Sequence, residues 1–306
     1  NFITHIPLFI EGFFMQKLLE ILQIPSPLQK VDFSTWNKNG IEVYFKRDDL
    51  IHPSISGNKW RKLYGHLQKF NDGNYSGILT FGGAFSNHII AVAAACNLLK
   101  IPCIGIIRGE IDPINPALKY ALDQNMQLIA LSRSAYRNKD ISSLKENFPE
   151  IDFDNFMIVP EGGAGIEGQI GCQELVEEID IEFDEIVLAC GTGTTLAGIL
   201  EHTSNEKKLT GISVLKGTLT EEIILNTNRT NFKILTDYHH GGYAKSPEEL
   251  LAFAREFTAQ TNIPLDFVYT AKMVFAFDDL LKKNYFSPNS KIILLHTGGL
   301  MNAHIT

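Results

Sequence analysis

Short apolar runs alternate with helical patterns along most of this chain, and that alternation limits what it can fold into. Gly77–Phe81, Ile101–Ile107, Gln127–Leu131, Asn155–Val159, Glu185–Ala189, Leu209–Leu215 and Lys291–Leu295 read as buried strands. Ile41–Lys46 alternates apolar and polar and reads as one more, ended by Arg47-Asp48-Asp49. Between the runs lie helical patterns at Ile89–Leu99, Pro116–Gln124, Glu167–Ile179, Thr195–Glu201, Leu219–Asn226, Pro247–Gln260 and Ala271–Lys283. Strands apolar on both faces, separated by helices, require a parallel sheet covered on both sides. The predicted class is α/β: two three-layer αβα units with mostly parallel open sheets. The flexible stretch Glu161-Gly162-Gly163-Ala164-Gly165 reads as a hinge or domain crossing. Residues 62–165 are expected to form the smaller unit. Residues 1–61, packing with 166–306, are expected to form the larger one.

A chain of 306 residues, 44% hydrophobic and 20% charged, is long enough for two such units. Its formal net charge of -8 argues against nucleic acid or an anionic membrane as partner. Cys96, Cys103, Cys172 and Cys190 form no C-x-x-C pair and read as reduced core thiols, as expected in the cytoplasm. Asn1–Phe14 lacks a basic leading segment and a small-residue cleavage site, and it is too short to span a membrane. It is expected to be neither signal nor anchor, and Met15 is a candidate original start.

Chemistry concentrates at Ser56-Gly57-Asn58-Lys59-Trp60-Arg61-Lys62-Leu63. Trp60, Leu63, Tyr64 and Leu67 mark one apolar helical face that begins just after Lys59. Asn58 is a good N-cap type, and Gly57 permits a sharp entry. Lys59 then sits at a helix N-terminus, whose partial positive charge disfavours an ammonium. A neutral lysine amine is what Schiff-base chemistry needs; the alternative is an ordinary surface lysine.

Two glycine turns follow strands. Gly191-Thr192-Gly193-Thr194-Thr195 can bring free amides and hydroxyls to an anion. No Gly-Lys-Ser/Thr follows, and Leu196 stands where a dinucleotide loop has its third glycine, so a phosphate monoester fits better than a diphosphate. A plain strand–helix turn is the alternative. Ser86-Asn87-His88 occupies the other turn, at a strand end where open α/β sheets bind ligands. Simple helix capping by Ser86 is the alternative there.

These pieces together resemble the fold type II pyridoxal-phosphate enzymes, the tryptophan synthase β-like group. The similarity is greatest to its D-cysteine desulfhydrase and 1-aminocyclopropane-1-carboxylate (ACC) deaminase branch. The residues that carry it are Phe45–Leu50, Ser56–Leu63, Gly82–His88, Gly191–Thr195, Leu265–Thr270 and His296–Gly299, so it spans about Pro25 to Gly299. The resemblance implies pyridoxal 5'-phosphate in the cleft between the two units. Lys59 would be joined covalently to it. Asn87 would bond its phenolic oxygen, Gly191, Thr192, Gly193, Thr194 and Thr195 would hold its phosphate, and Thr297 would meet its ring nitrogen. Ser86, with the amides of Asn87 and His88, would take the substrate carboxylate or assist catalysis. Tyr269 would face the reacting carbons, and Tyr243 would lie near the mouth. It also implies a small amino-acid substrate and a homodimer.

Within that resemblance, ACC deaminases carry glutamate after the tyrosine, facing the ring nitrogen, and leucine before the final glycine pair. This chain has Thr270 and Thr297 at those places, as D-cysteine desulfhydrases do. A hydroxyl holds the ring protonated less firmly than a carboxylate. That suits β-elimination, in which a good leaving group departs early, and suits cyclopropane opening poorly. The expected reaction is α,β-elimination on D-cysteine, with ACC deamination as the alternative. Two further readings are a pyridoxal-phosphate-binding protein with little catalysis and a cofactor-free nucleotide or sugar-phosphate binder. No metal site is expected, since the adjacent pair His239-His240 points in two directions and has no further ligand cluster. The carboxylates of Asp48 and Asp49 are expected to accept backbone amides near the lysine loop.

Overall fold

The computed structural model describes residues 13–302 except 37, 140, 217–228 and 244. Ten strands form two sheets: β1 (Leu28–Val31), β2 (Glu42–Lys46), β3 (Gly77–Gly83), β4 (Cys103–Arg108), β5 (Gln127–Leu131), β6 (Phe156–Val159), β7 (Glu185–Cys190), β8 (Lys208–Ser213), β9 (Phe232–Leu235) and β10 (Lys291–Leu295). One sheet has the order β5-β4-β3-β6 and the other β1-β2-β10-β7-β8-β9. Every pairing is parallel except β1 with β2. The α/β class read from the sequence is the one observed.

Side-chain alternation shows why each sheet needs cover on both faces. Along β10, Ile292 and Leu294 join one core with Phe33, Trp36, Phe45, Phe257 and Phe277. Ile293 and Leu295 join the opposite core with Leu175, Leu196 and Ile199. In the smaller sheet Ile78 and Met157 meet α2 (Asn58–Asp72) and α3 (Asn87–Leu99) on one side. Leu79, Phe81 and Ile129 meet Tyr136 and Leu144 on the other, on α5 (Arg133–Asn138) and α6 (Ile141–Asn147).

Three expectations need correction. The first 60 residues do not all pack with the second half: Met15, Leu18, Leu22, Ile51 and Ile55 join the core of the smaller unit. The reason is α3, which is buried nearly all round through Ala91, Ala93, Ala94 and Ala95, and helix α1 (Phe13–Leu19) packs against it. The helical pattern Glu167–Ile179 is broken into α7 (Ile166–Ile170) and α8 (Glu174–Glu177) by a turn at residues 171–173. At that turn the chain touches the α2 backbone, so closely that a Cβ on Gly171 would lie 1.9 Å from the Arg61 carbonyl oxygen. Finally, Asp48 and Asp49 accept from side chains rather than backbone amides. Asp48 takes Arg61 and Ser26, and Asp49 takes Arg47.

The expected helix Leu219–Asn226 lies outside the described residues. No described helix is long and apolar enough to cross a membrane.

Candidate active site

The C-terminal ends of strands from both sheets converge on one cavity of about 440 Å³. Ala84, Phe85, Ser86, Asn87 and His88 follow β3, Arg108 ends β4, and Glu161 and Gly162 follow β6. Gly191, Thr192, Gly193 and Thr195 follow β7, and Leu215 follows β8. Lys59 and Lys62 enter from α2, with Tyr243 and Tyr269 from the second half of the chain.

Lys59 reaches this wall because α2 starts abruptly. Gly57 has φ +62°, and a Cβ there would lie 2.0 Å from the Thr297 carbonyl oxygen, so only glycine fits. The N-cap is Gly57, not Asn58 as the sequence suggested. The Asn58 carboxamide is occupied elsewhere. Its Oδ1 accepts from Lys59 Nζ at 2.9 Å, and its Nδ2 donates to Thr195 Oγ1 at 3.2 Å. One side chain thus links the lysine to the glycine–threonine turn. Burial lowers the Lys59 pKa to about 7, and the Lys62 charge adds to this. Burial, rather than the helix terminus, is the leading cause. Lys59 at neutral pH is a substantially neutral amine, able to act as nucleophile or base.

The turn itself opens α9 (Thr194–His202), with Gly193 at φ +83° as N-cap. The free amides at that terminus point where an anion would be bound. Thr192 and Thr194 hydroxyls lie 3.1 Å apart, and Thr194 is fully buried. Lys62 lines the same cavity, 4% exposed, with Nζ 3.3 Å from the Gly162 carbonyl oxygen. Lys59, Lys62 and a helix N-terminus around one space suit a phosphate that carries a reactive aldehyde.

On the opposite wall Ser86 caps α3, its Oγ accepting from the Ile89 amide at 3.3 Å. The hydroxyl proton is left to donate into the cavity, so capping and ligand binding are compatible. His88 is buried. Thr80 Oγ1 donates to the Val159 carbonyl oxygen at 2.9 Å and must therefore accept from His88 Nε2 at 2.8 Å. His88 lines the cavity, and its Nδ1 is then a buried acceptor without a protein donor. Burial holds this imidazole well below its usual pKa, so it is neutral.

Tyr269 ends the turn before α11 (Thr270–Lys282), and burial raises its hydroxyl pKa, keeping it protonated. Asp266 Oδ1 accepts from the Val268 and Tyr269 amides, and Oδ2 from the Thr270 amide and hydroxyl. Thr297 is buried behind the lysine loop, where its carbonyl oxygen accepts from the Asn58 amide at 3.3 Å; it is not part of the cavity wall.

Lys62, Arg108 and Glu161 escaped the reading of the sequence. Helical spacing could have pointed to Lys62, one turn after Lys59. The rule that ligands bind beyond strand C-termini could have pointed to the other two. Of the histidine pair, His239 Nδ1 accepts from the Gly241 amide and His240 packs edge-on to Phe275. Among the described residues no three His, Cys, Asp or Glu side chains cluster as metal ligands. All four cysteines are buried free thiols.

Residues 19–298 match the family described as "Pyridoxal-phosphate dependent enzyme". The chain is 28% identical to the bifunctional D-cysteine desulfhydrase/1-aminocyclopropane-1-carboxylate deaminase of Arabidopsis thaliana, covering 93% of this chain and 78% of that protein. A Pyrococcus horikoshii protein provisionally named 1-aminocyclopropane-1-carboxylate deaminase is 30% identical, covering 92% and 91%. Among solved structures, an ACC deaminase homologue superposes with TM-score 0.75 at 27% identity, covering 94% of each chain. The chain therefore belongs to the pyridoxal-phosphate dependent enzymes, in the group that holds ACC deaminases and D-cysteine desulfhydrase.

Proposed function

We propose that this enzyme carries out α,β-elimination on a small amino acid, with D-cysteine and water giving pyruvate, sulfide and ammonia. The observation that carries this reading is the lack of a free carboxylate deep in the cavity. Asp266 is saturated by four donors of its own turn, and Thr270 spends its hydroxyl on Asp266. Among the described cavity-lining residues the single acid is Glu161, half-exposed and paired with Lys139.

Pyridoxal phosphate, when bound, takes up the electron pair left as the substrate's Cα proton departs. The α9 terminus, Thr192 and Lys62 would hold its phosphate. Ser86 Oγ and the first amides of α3 hold the substrate carboxylate. Lys59 Nζ, largely neutral at pH 7, removes the Cα proton. The Cβ–S bond then breaks, and sulfur leaves with its electron pair. The protonated Tyr269 hydroxyl faces the same space and can supply a proton to it.

A second reading, ACC deamination, is favoured by the names of the relatives. The test is product formation by the purified holoenzyme from D-cysteine, L-cysteine, D-serine and ACC. Pyruvate with sulfide from D-cysteine is the expected result. Turnover of ACC alone would overturn the assignment.

A further inference from the structure

Lys272 carries a positive charge into the interior with no carboxylate beside it. It lies on α11, three residues after Tyr269, and is fully buried. Its Nζ donates to three main-chain carbonyls: Val214 at 3.5 Å, His239 at 3.0 Å and Gly242 at 2.7 Å. An ammonium has three N–H donors and no acceptor, so this cage occupies all of them. Lys272 enters no ion pair among the described residues. Asp266 acts on it only through space. Burial draws its pKa to about 8, so it keeps its proton at neutral pH.

The cage joins three segments that each deliver a wall of the cavity, two giving the carbonyls and one the ammonium. Val214 precedes Leu215, Gly242 precedes Tyr243, and Lys272 itself shares a helix start with Tyr269. The 239–242 loop belongs to no strand or helix. Its φ angles are +50° at His240, +96° at Gly241 and +114° at Gly242. Such a run is easily reshaped unless something holds it. A cage of backbone carbonyls is also what a bare monovalent cation selects.

We propose that the Lys272 ammonium is a built-in cation that fixes the Tyr243 loop to the cavity wall, replacing any need for an added monovalent ion. Lys272 is thus a positioning residue. The proposal stands whichever amino acid the cavity takes, so it can fail without touching the D-cysteine reading.

The test is hydrogen exchange, followed by mass spectrometry, on loop peptides of the holoenzyme. In Lys272→Met the 239–243 amides are expected to exchange about tenfold faster while the strand amides stay unchanged. In Lys272→Ala, potassium or ammonium chloride at tens of millimolar is expected to return exchange to within about twofold of the native rate. Choline chloride, too large for the vacated cage, is expected not to. Native exchange in a folded Lys272→Met protein would overturn the proposal, as would equal effects of the three salts on Lys272→Ala. Should neither variant fold, the native enzyme decides. Equal loop exchange in potassium and in choline buffers supports the built-in cation, and slower exchange in potassium refutes it.

Discussion

Asn58 does at residue scale what no backbone contact does: it joins the amine of Lys59 to the hydroxyl of Thr195, 137 positions on. Replacing it with leucine removes both hydrogen bonds at once. Cofactor affinity is expected to fall about tenfold, equivalent to about 1.4 kcal/mol, measured by absorbance titration of the apoprotein. The lysine itself yields a pH prediction. Capture of the cofactor aldehyde needs a neutral amine, and a pKa lowered to about 7 makes Lys59 neutral above that pH. The capture rate should therefore rise through pH 7 and level off. A rise centred near the ordinary lysine value of about 10.4 would contradict the burial argument.

At the scale of elements, the helix bearing Lys59 is anchored by charge as well as by apolar packing. Arg61 donates to both Asp48 oxygens and both Glu178 oxygens, and Lys46 donates to Glu178 and to the Ser26 carbonyl. Two cations thus face two carboxylates inside the protein. Arg61→Met leaves that pair of acids with Lys46 alone and is expected to cost about 3–5 kcal/mol in denaturant unfolding. Burial works to raise the Glu178 pKa, but the Arg61 hydrogen bonds and charge, helped by Lys46, hold it below its ordinary value. A carboxylate depressed in the folded state stabilises above its unfolded pKa, and that contribution is lost as pH falls through the folded value. Acid unfolding curves of Glu178→Gln should therefore be flatter below about pH 4.5 than those of the native protein. Gly57→Ala brings a Cβ onto the Thr297 carbonyl at a left-handed φ. It should lose about 1–3 kcal/mol or more, with cofactor binding weakened alongside.

These elements also show what could be read beforehand. Eight of the ten strands were legible as short apolar or alternating runs, and β5 and β10 fall at the expected residues, whereas the short edge strands β1 and β9, each with a lysine inside it, were not read. The Lys59 and Gly191 segments were legible because their chemistry is local. The interior of α2 was not, since Arg61, Lys62 and His66 look like a solvent face until Asp48, Glu178 and Gly162 arrive from elsewhere. The break at Gly171 depends on a backbone approach by α2, and the Lys272 cage on two distant loops. Neither leaves a local pattern.

At the scale of the whole molecule, the cavity lies where strand ends of two sheets meet, so its contents tie together parts of the chain with separate cores. A cofactor bound across that junction should stabilise the fold as a ligand does. At a hundredfold excess over Kd the gain is about 2.7 kcal/mol, seen as a rise of several degrees in Tm between apo and loaded protein. The position of the attachment point decides the rest of the account. The loaded enzyme is to be reduced with borohydride, digested, and mapped by mass spectrometry. The reduced cofactor is expected on Lys59; a label on Lys62, on Lys272 or on no lysine would contradict an aldehyde bond to that amine.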